Sequence, residues 1–127
     1  MTKYIDIARA LVNETGRHVS FLLFRDRIVS IGINNPYKTH PMSLKYNFRG
    51  RDDTDIRYDI GIHSELSAVI RLGREDLQKH SLINVRINRE NQIAMSKPCH
   101  GCLDMIKRLR IGKVLFTNKS GEFSTLI

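Results

Sequence analysis

Apolar positions along the chain change period several times, and each change marks an element. Ile5, Ala8, Leu11 and Val12 recur at helical spacing, which predicts a first helix from a Thr2 cap through Asn13, ended by Gly16. Two nearly continuous, β-branched runs follow, at His18–Phe24 and at 28–33, with Asp26-Arg27 as the tight turn between them. Such continuity predicts a sheet covered on both faces. Helical spacing returns over Ser64–Leu72, with Leu66, Val69 and Ile70 on the buried face and Gly73 as terminator. Residues 76–79 add a further turn. Alternation of Leu82, Ile83, Val85 and Ile87 predicts a strand over 81–88, and Glu90-Asn91 turns it into a short return strand over 92–95. A third helix starts just after Pro98 and runs to Arg110, burying Leu103, Ile106 and Leu109, with Gly112 as its stop. Lys113–Thr117 is another strand, and Lys119-Ser120-Gly121 turns the chain into a last one over 123–126. This element order predicts an α/β fold with a mixed sheet and helices on both faces.

Between 35 and 61 the periodicity disappears. The segment is rich in Lys, Arg, Asp, Asn and Pro, with Tyr37, Tyr46, Phe48 and Tyr58 interspersed. It is longer than an ordinary connection, and with its aromatic residues it reads as an ordered, functional insert within one domain over 1–127. A chain of 127 residues is long enough for one sizeable core and too short for two ordinary domains. No stretch approaches the ~18 consecutive apolar residues of a membrane span, and the first residues lack the apolar run of a signal peptide. The expectation is a cytoplasmic protein with no membrane partner. A formal net charge of +8 and a pI near 9.9 favour anionic partners, whether nucleotides, nucleic acid or acidic surfaces, and do not choose among them. A merely basic, solvated surface accounts for the same charge.

Chemistry concentrates in three short pieces: Gly32-Ile33-Asn34, Ile62-His63-Ser64-Glu65, and Ser96-Lys97-Pro98-Cys99-His100-Gly101-Cys102. His63 and Glu65 fall at the start of one predicted helix and both cysteines at the start of another. Helix N-termini carry partial positive charge, which favours thiolate over thiol. One imidazole and two thiolates make three ligands and leave a tetrahedral position open, the pattern of a catalytic zinc site rather than a structural one. A structural site would want a fourth ligand, and there is no third cysteine. Glu65, two residues from the candidate ligand His63, is placed to accept and deliver protons. Taken singly, Cys-x-x-Cys also describes a redox pair or two buried thiols, and His-x-Glu alone carries less still. His100, between the cysteines, reads as a solvent-facing residue at the helix start, and His18, His40 and His80 carry no signal.

His-x-Glu followed downstream by Pro-Cys-x-x-Cys resembles the signature of the zinc-dependent cytidine and deoxycytidylate deaminase superfamily. The resemblance covers most of the chain, from about His18 to about Asn118. It implies a three-layer α-β-α sandwich with a mixed five-stranded sheet, Zn2+ held by His63, Cys99 and Cys102, and Glu65 as catalytic proton shuttle. It further implies that Asn34 binds the substrate sugar, that Ser64 offers its backbone N–H to the base in a place where the family often has alanine, and that the backbone around Ser96 and Lys97 faces the departing amino group. The implied reaction is hydrolysis at C4 of cytosine, with Glu65 protonating N3 and then the leaving ammonia, so that uracil remains. The family also suggests a homo-oligomer.

Substrate class is the open choice. A free cytosine nucleotide or nucleoside suits the long insert, which resembles the deoxycytidylate branch and offers Lys38, Lys45, Arg49, Arg51 and Arg57 to a 5′-phosphate. A deaminase acting on cytosine or adenine in single-stranded DNA or RNA is the alternative. It would need a basic groove with interleaved stacking aromatics, for which the net charge and the insert's aromatics are candidates. A non-enzymatic, zinc-stabilised binding module is the third reading, and it leaves the carboxylate of Glu65 without a purpose.

Overall fold

Two backbone residues decide the first hairpin. In the computed structural model, which describes residues 1–38, 40–41 and 61–126, Arg25 and Asp26 take positive φ values of 52° and 62°. Left-handed conformation at both central positions is the two-residue turn whose twist matches that of its flanking strands. The hairpin therefore turns one residue earlier than Asp26-Arg27, joining β1 (His18–Phe24) to β2 (Arg27–Ile33). The chain begins with α1 (Thr2–Leu11), where Thr2 lies inside the helix and provides no side-chain cap. Asn13 closes the segment instead, its Oδ1 accepting hydrogen bonds from the backbone N–H groups of Thr15 and Gly16 at 3.0 and 2.7 Å.

The remaining elements are α2 (Ser64–Leu72), β3 (His80–Ile87), β4 (Ile93–Ala94), α3 (His100–Leu109), β5 (Lys113–Thr117) and β6 (Phe123–Thr125). Residues 76–79 form no helix, only a turn at 78–79. Helix α3 ends at Arg110, which adopts the left-handed conformation with φ 61°, two residues before Gly112. Within α3 it is Cys102, Met105, Ile106 and Leu109 that are buried, while Leu103 is only half-buried.

Six strands form one open, mixed sheet in the order β2-β1-β3-β5-β6, with β4 pairing beside the far end of β3. The short β4, the return strand expected over 92–95, makes the count six where the family resemblance implied five. Strands β3 and β5 are parallel, the other pairings antiparallel, including β6 against β5. Central strand β1 is buried along its middle five residues, whereas β2 alternates. The expectation of a sheet covered on both faces thus holds for β1 and fails for β2, an edge strand.

Alternation along β1 and β3 sends side chains to two separate cores. Val19, Phe21, Leu23, Ile83, Val85 and Ile87 pack with Tyr4 and Ala8 of α1. Leu22, Leu82 and Val114 pack on the opposite face with Leu66 and Val69 of α2 and Met105, Ile106 and Leu109 of α3. Helices therefore lie on both sides of the sheet, an arrangement compatible with a three-layer sandwich. No helix among the described residues is long and apolar enough to cross a membrane. Of the insert, 39 and 42–60 lie outside the described residues, and with them Lys45, Tyr46, Phe48, Arg49, Arg51, Arg57 and Tyr58. Its two ends are pinned together, because Asn35 and Ile62 exchange a pair of backbone hydrogen bonds, each 2.9 Å.

Candidate metal centre and adjoining cavity

The close fit of a helix onto a strand sets the position of the site. A Cβ on Gly32 of β2 would lie 2.2 Å from the carbonyl oxygen of Ser64 and 2.3 Å from the backbone nitrogen of Ala68. Only glycine lets the first turn of α2 seat this close, and Ser30 Oγ adds a 2.7 Å hydrogen bond to Ala68 O. The N-terminus of α2, preceded by His63, is thereby held over the sheet. Helix α3 begins next to it, behind a Pro98-Cys99 entrance with Cys99 as its capping residue.

These two helix starts bring His63, Cys99 and Cys102 together, with one potential ligand atom from each lying within 4.8 Å of the others. His63 Nδ1 is 3.3 Å from Cys99 Sγ and 3.7 Å from Cys102 Sγ. A tetrahedral ion at ordinary metal–ligand lengths would separate a nitrogen from a sulfur ligand by about 3.5 Å. The observed pair of distances brackets that value, so the donors fit a tetrahedral metal ion. Cys99 is exposed and Cys102 fully buried. A hydrogen bond from Cys102 to Cys99, helped by His63, brings the Cys99 thiol down to about 4 against the opposing effect of burial. Burial, and then the neighbouring Cys99 and Glu65, push the Cys102 thiol well up. The two sulfurs are thus driven apart in acidity, Cys99 favouring the thiolate and Cys102 the thiol, and a metal ion would displace any proton they carry.

Glu65 is buried, with 6% of its surface exposed. Its Oε2 accepts a 2.9 Å hydrogen bond from Asn84 Nδ2, and its Oε1 a 3.1 Å bond from Ser64 Oγ. Ser20 Oγ lies 2.7 Å from Ser64 Oγ and donates to Asn84 Oδ1 at 2.7 Å. Asn84 Nδ2 also reaches Ser96 O at 3.2 Å. Ser20 and Asn84 face one another across the β1–β3 ladder and share the sheet face of Leu22 and Leu82. They occupy places where that face would otherwise carry apolar side chains. Neither was singled out from the sequence. Their signal there is a polar residue inside an apolar run, Val19-Ser20-Phe21 and Ile83-Asn84-Val85, a pattern that gains meaning once the register pairs them.

A cavity of about 400 Å³ opens over this network, walled in part by His63, Ser64, Glu65, Asn34, Ser96, Lys97 and Cys99. Asn34, His63, Ser64, Glu65, Ser96, Lys97 and Cys99, singled out in the three motifs, therefore line one cavity, while Cys102 is buried outside its lining. Asn34 Oδ1 is occupied by the backbone N–H of His18 at 2.9 Å, and the residue forms part of the cavity wall. The Ser96 hydroxyl is committed to Asn84 O at 3.0 Å and to Thr117, its backbone N–H donates to Thr117 O at 2.9 Å, and its carbonyl oxygen already accepts from Asn84 Nδ2. Lys97 is exposed. His18, which carried no sequence signal, is part of the wall; burial first and Arg86 second bring its imidazole down to about 4. His100 is exposed, as its position between the ligands suggested.

In comparisons with known proteins, no family model matches the chain and no curated protein matches it significantly, so the functional reading stands on the site itself.

Proposed function

We propose that this chain is a zinc-dependent deaminase that hydrolyses the exocyclic amine of cytosine in a nucleotide or nucleoside, releasing ammonia and the uracil product. The observation that carries this reading is the pairing of a three-donor N/S metal centre with a buried, hydrogen-bonded carboxylate on the wall of the same cavity. One nitrogen and two sulfurs suit zinc, and three protein ligands suit a catalytic role. Bound there, zinc would supply Lewis acidity and activate water at neutral pH.

The chain's own residues account for the rest of the chemistry. Glu65 takes a proton from the attacking water and delivers it to N3 as the C4–O bond forms. It then passes the second proton to the amine as the C4–N bond breaks, so that water and aminopyrimidine become carbonyl and ammonia. Asn84 holds one carboxylate oxygen while the other faces Ser64. The single Ser64 hydroxyl proton can point to Glu65 Oε1 when that group is ionised, or to Ser20 when it is protonated, so either state stays hydrogen-bonded. As the first residue of α2, Ser64 has a backbone N–H with no intrahelical partner, suited to an oxygen of the base. The Asn34 amide is suited to a sugar hydroxyl.

Ammonia release from the zinc-loaded full chain tests the proposal, using cytidine, deoxycytidine, CMP, dCMP and a cytosine-containing single strand. Turnover of a monomeric substrate is expected, falling by a factor of about 10² to 10⁴ in Glu65→Gln with zinc content unchanged. Turnover of the single strand alone would replace this reading with a polynucleotide one. Silence across the panel with zinc in place would overturn it.

A further inference from the structure

Past His18, Asn34 and Pro36 the wall of the catalytic cavity is shared with a second cleft, of about 470 Å³. Three guanidinium groups line it, from Arg17, Arg86 and Arg89. The register explains how Arg86 comes to be there. Arg86 pairs with His18, one step outward from the Asn84–Ser20 pair, and shares their face of the sheet. The strand that presents the partner of Glu65 thus presents, two residues on, a cation to the adjoining cleft.

The three arginines differ in how they are held. Arg17 is fixed by backbone carbonyls, with Nε on Ile87 O at 2.9 Å and its terminal nitrogens on Asn13 O and Asn88 O. It is a stationary positive charge. Arg86 and Arg89 are exposed, and among the described residues neither forms an ion pair. The cleft also carries Glu14 and Glu90, so the excess of positive charge is small and local. A planar guanidinium matches the oxygens of a phosphate, and several converging from two strand ends favour one compact anion.

Resting on the deaminase reading above, we propose that this cleft binds the 5′-phosphate of a monomeric substrate, making a nucleotide rather than a free nucleoside the substrate. With the base at the metal centre and the sugar against Asn34, the 5′ substituent leaves the cavity through the wall that the two clefts share. A continuous strand would need a tract of cations for successive phosphates. Here Glu14 and Glu90 stand beside the arginines and would repel a second phosphate.

Two measurements on the zinc-loaded full chain test the inference. In the first, kcat/KM is compared for deoxycytidine and dCMP, and for cytidine and CMP. The nucleotide is expected to be preferred at least 100-fold, chiefly through KM. Arg86→Gln combined with Arg89→Gln should shrink that preference at least tenfold, with Arg86→Lys retaining part of it. Both positions are exposed, so folding is not at stake. A preference below tenfold, or one unmoved by the double variant, overturns the inference while leaving the deaminase reading intact. The second measurement is calorimetric titration with CMP and dCMP. Binding that depends on Arg86 and Arg89 without turnover would retain the phosphate cleft and sink the deaminase reading. Neither turnover nor binding of nucleotides would sink both.

Discussion

In the proposed reaction Asn84 is the residue on which the proton chemistry depends most, although it touches none of the metal donors. It is 3% exposed and serves Glu65, Ser20 and Ser96 at once. A buried carboxylate that loses a donor forfeits about 1.5–3 kcal/mol. Asn84→Asp keeps size and the acceptor for Ser20, but sets an oxygen against Glu65 Oε2. Its kcat is expected to fall about 10- to 100-fold, with KM and metal content close to wild type. Unchanged turnover in this variant would show that Glu65 needs no support from β3. Signals for this residue were present in the sequence only as an anomaly, a polar group in an apolar strand. Which anomaly mattered depended on the neighbour across the ladder, and register is not a local property of sequence.

At the scale of elements, the centre is a junction of two helix starts over one sheet face, and Gly32 governs the junction. Gly32→Ala would drive a methyl group into the backbone of α2 at Ser64 and Ala68. Backbone atoms cannot swing aside as a flexible side chain can, so α2 must shift, and His63 with it. A loss of about 1–3 kcal/mol in stability is expected, accompanied by weakened metal affinity. Urea denaturation and metal titration of the purified variant would check both, and wild-type values for either would contradict the role given to this contact. Helix spans were legible where apolar period and terminators agreed, as in α2. They were less so where tertiary contacts decided the end, as at Arg110, where an arginine took the left-handed position in place of Gly112.

For the molecule as a whole, burying His18 beside the cavity has a cost in acid. His18 is brought from 6.5 to about 4 by burial and then by the charge of Arg86. Below pH 6.5 the unfolded chain takes up a proton that the folded chain refuses. The associated stability is therefore fully present above pH 6.5 and is lost as the pH falls towards 4, up to about 3 kcal/mol. Metal-free wild type should lose stability between pH 7 and pH 4.5 more steeply than metal-free His18→Gln, as measured by urea unfolding. Parallel curves would show that His18 titrates freely in the fold.

Much of the candidate site was determined by sequence alone. His63, Cys99 and Cys102, with Glu65 beside them, are residue types whose chemistry is narrow, and their short spacings place them at helix starts whatever the rest of the chain does. The alternation of apolar residues likewise determined which strands and helices form, because burial of one face is a local demand of each segment. Tertiary structure decided the rest. The pairing of β1 with β3 turned Ser20 and Asn84 from two oddities into the support of Glu65, and set Arg86 beside His18 in the adjoining cleft. The antiparallel placing of β6 was decided the same way. Each depends on which strand lies beside which, a choice made by the packing of two cores at once and carried by no single stretch of residues.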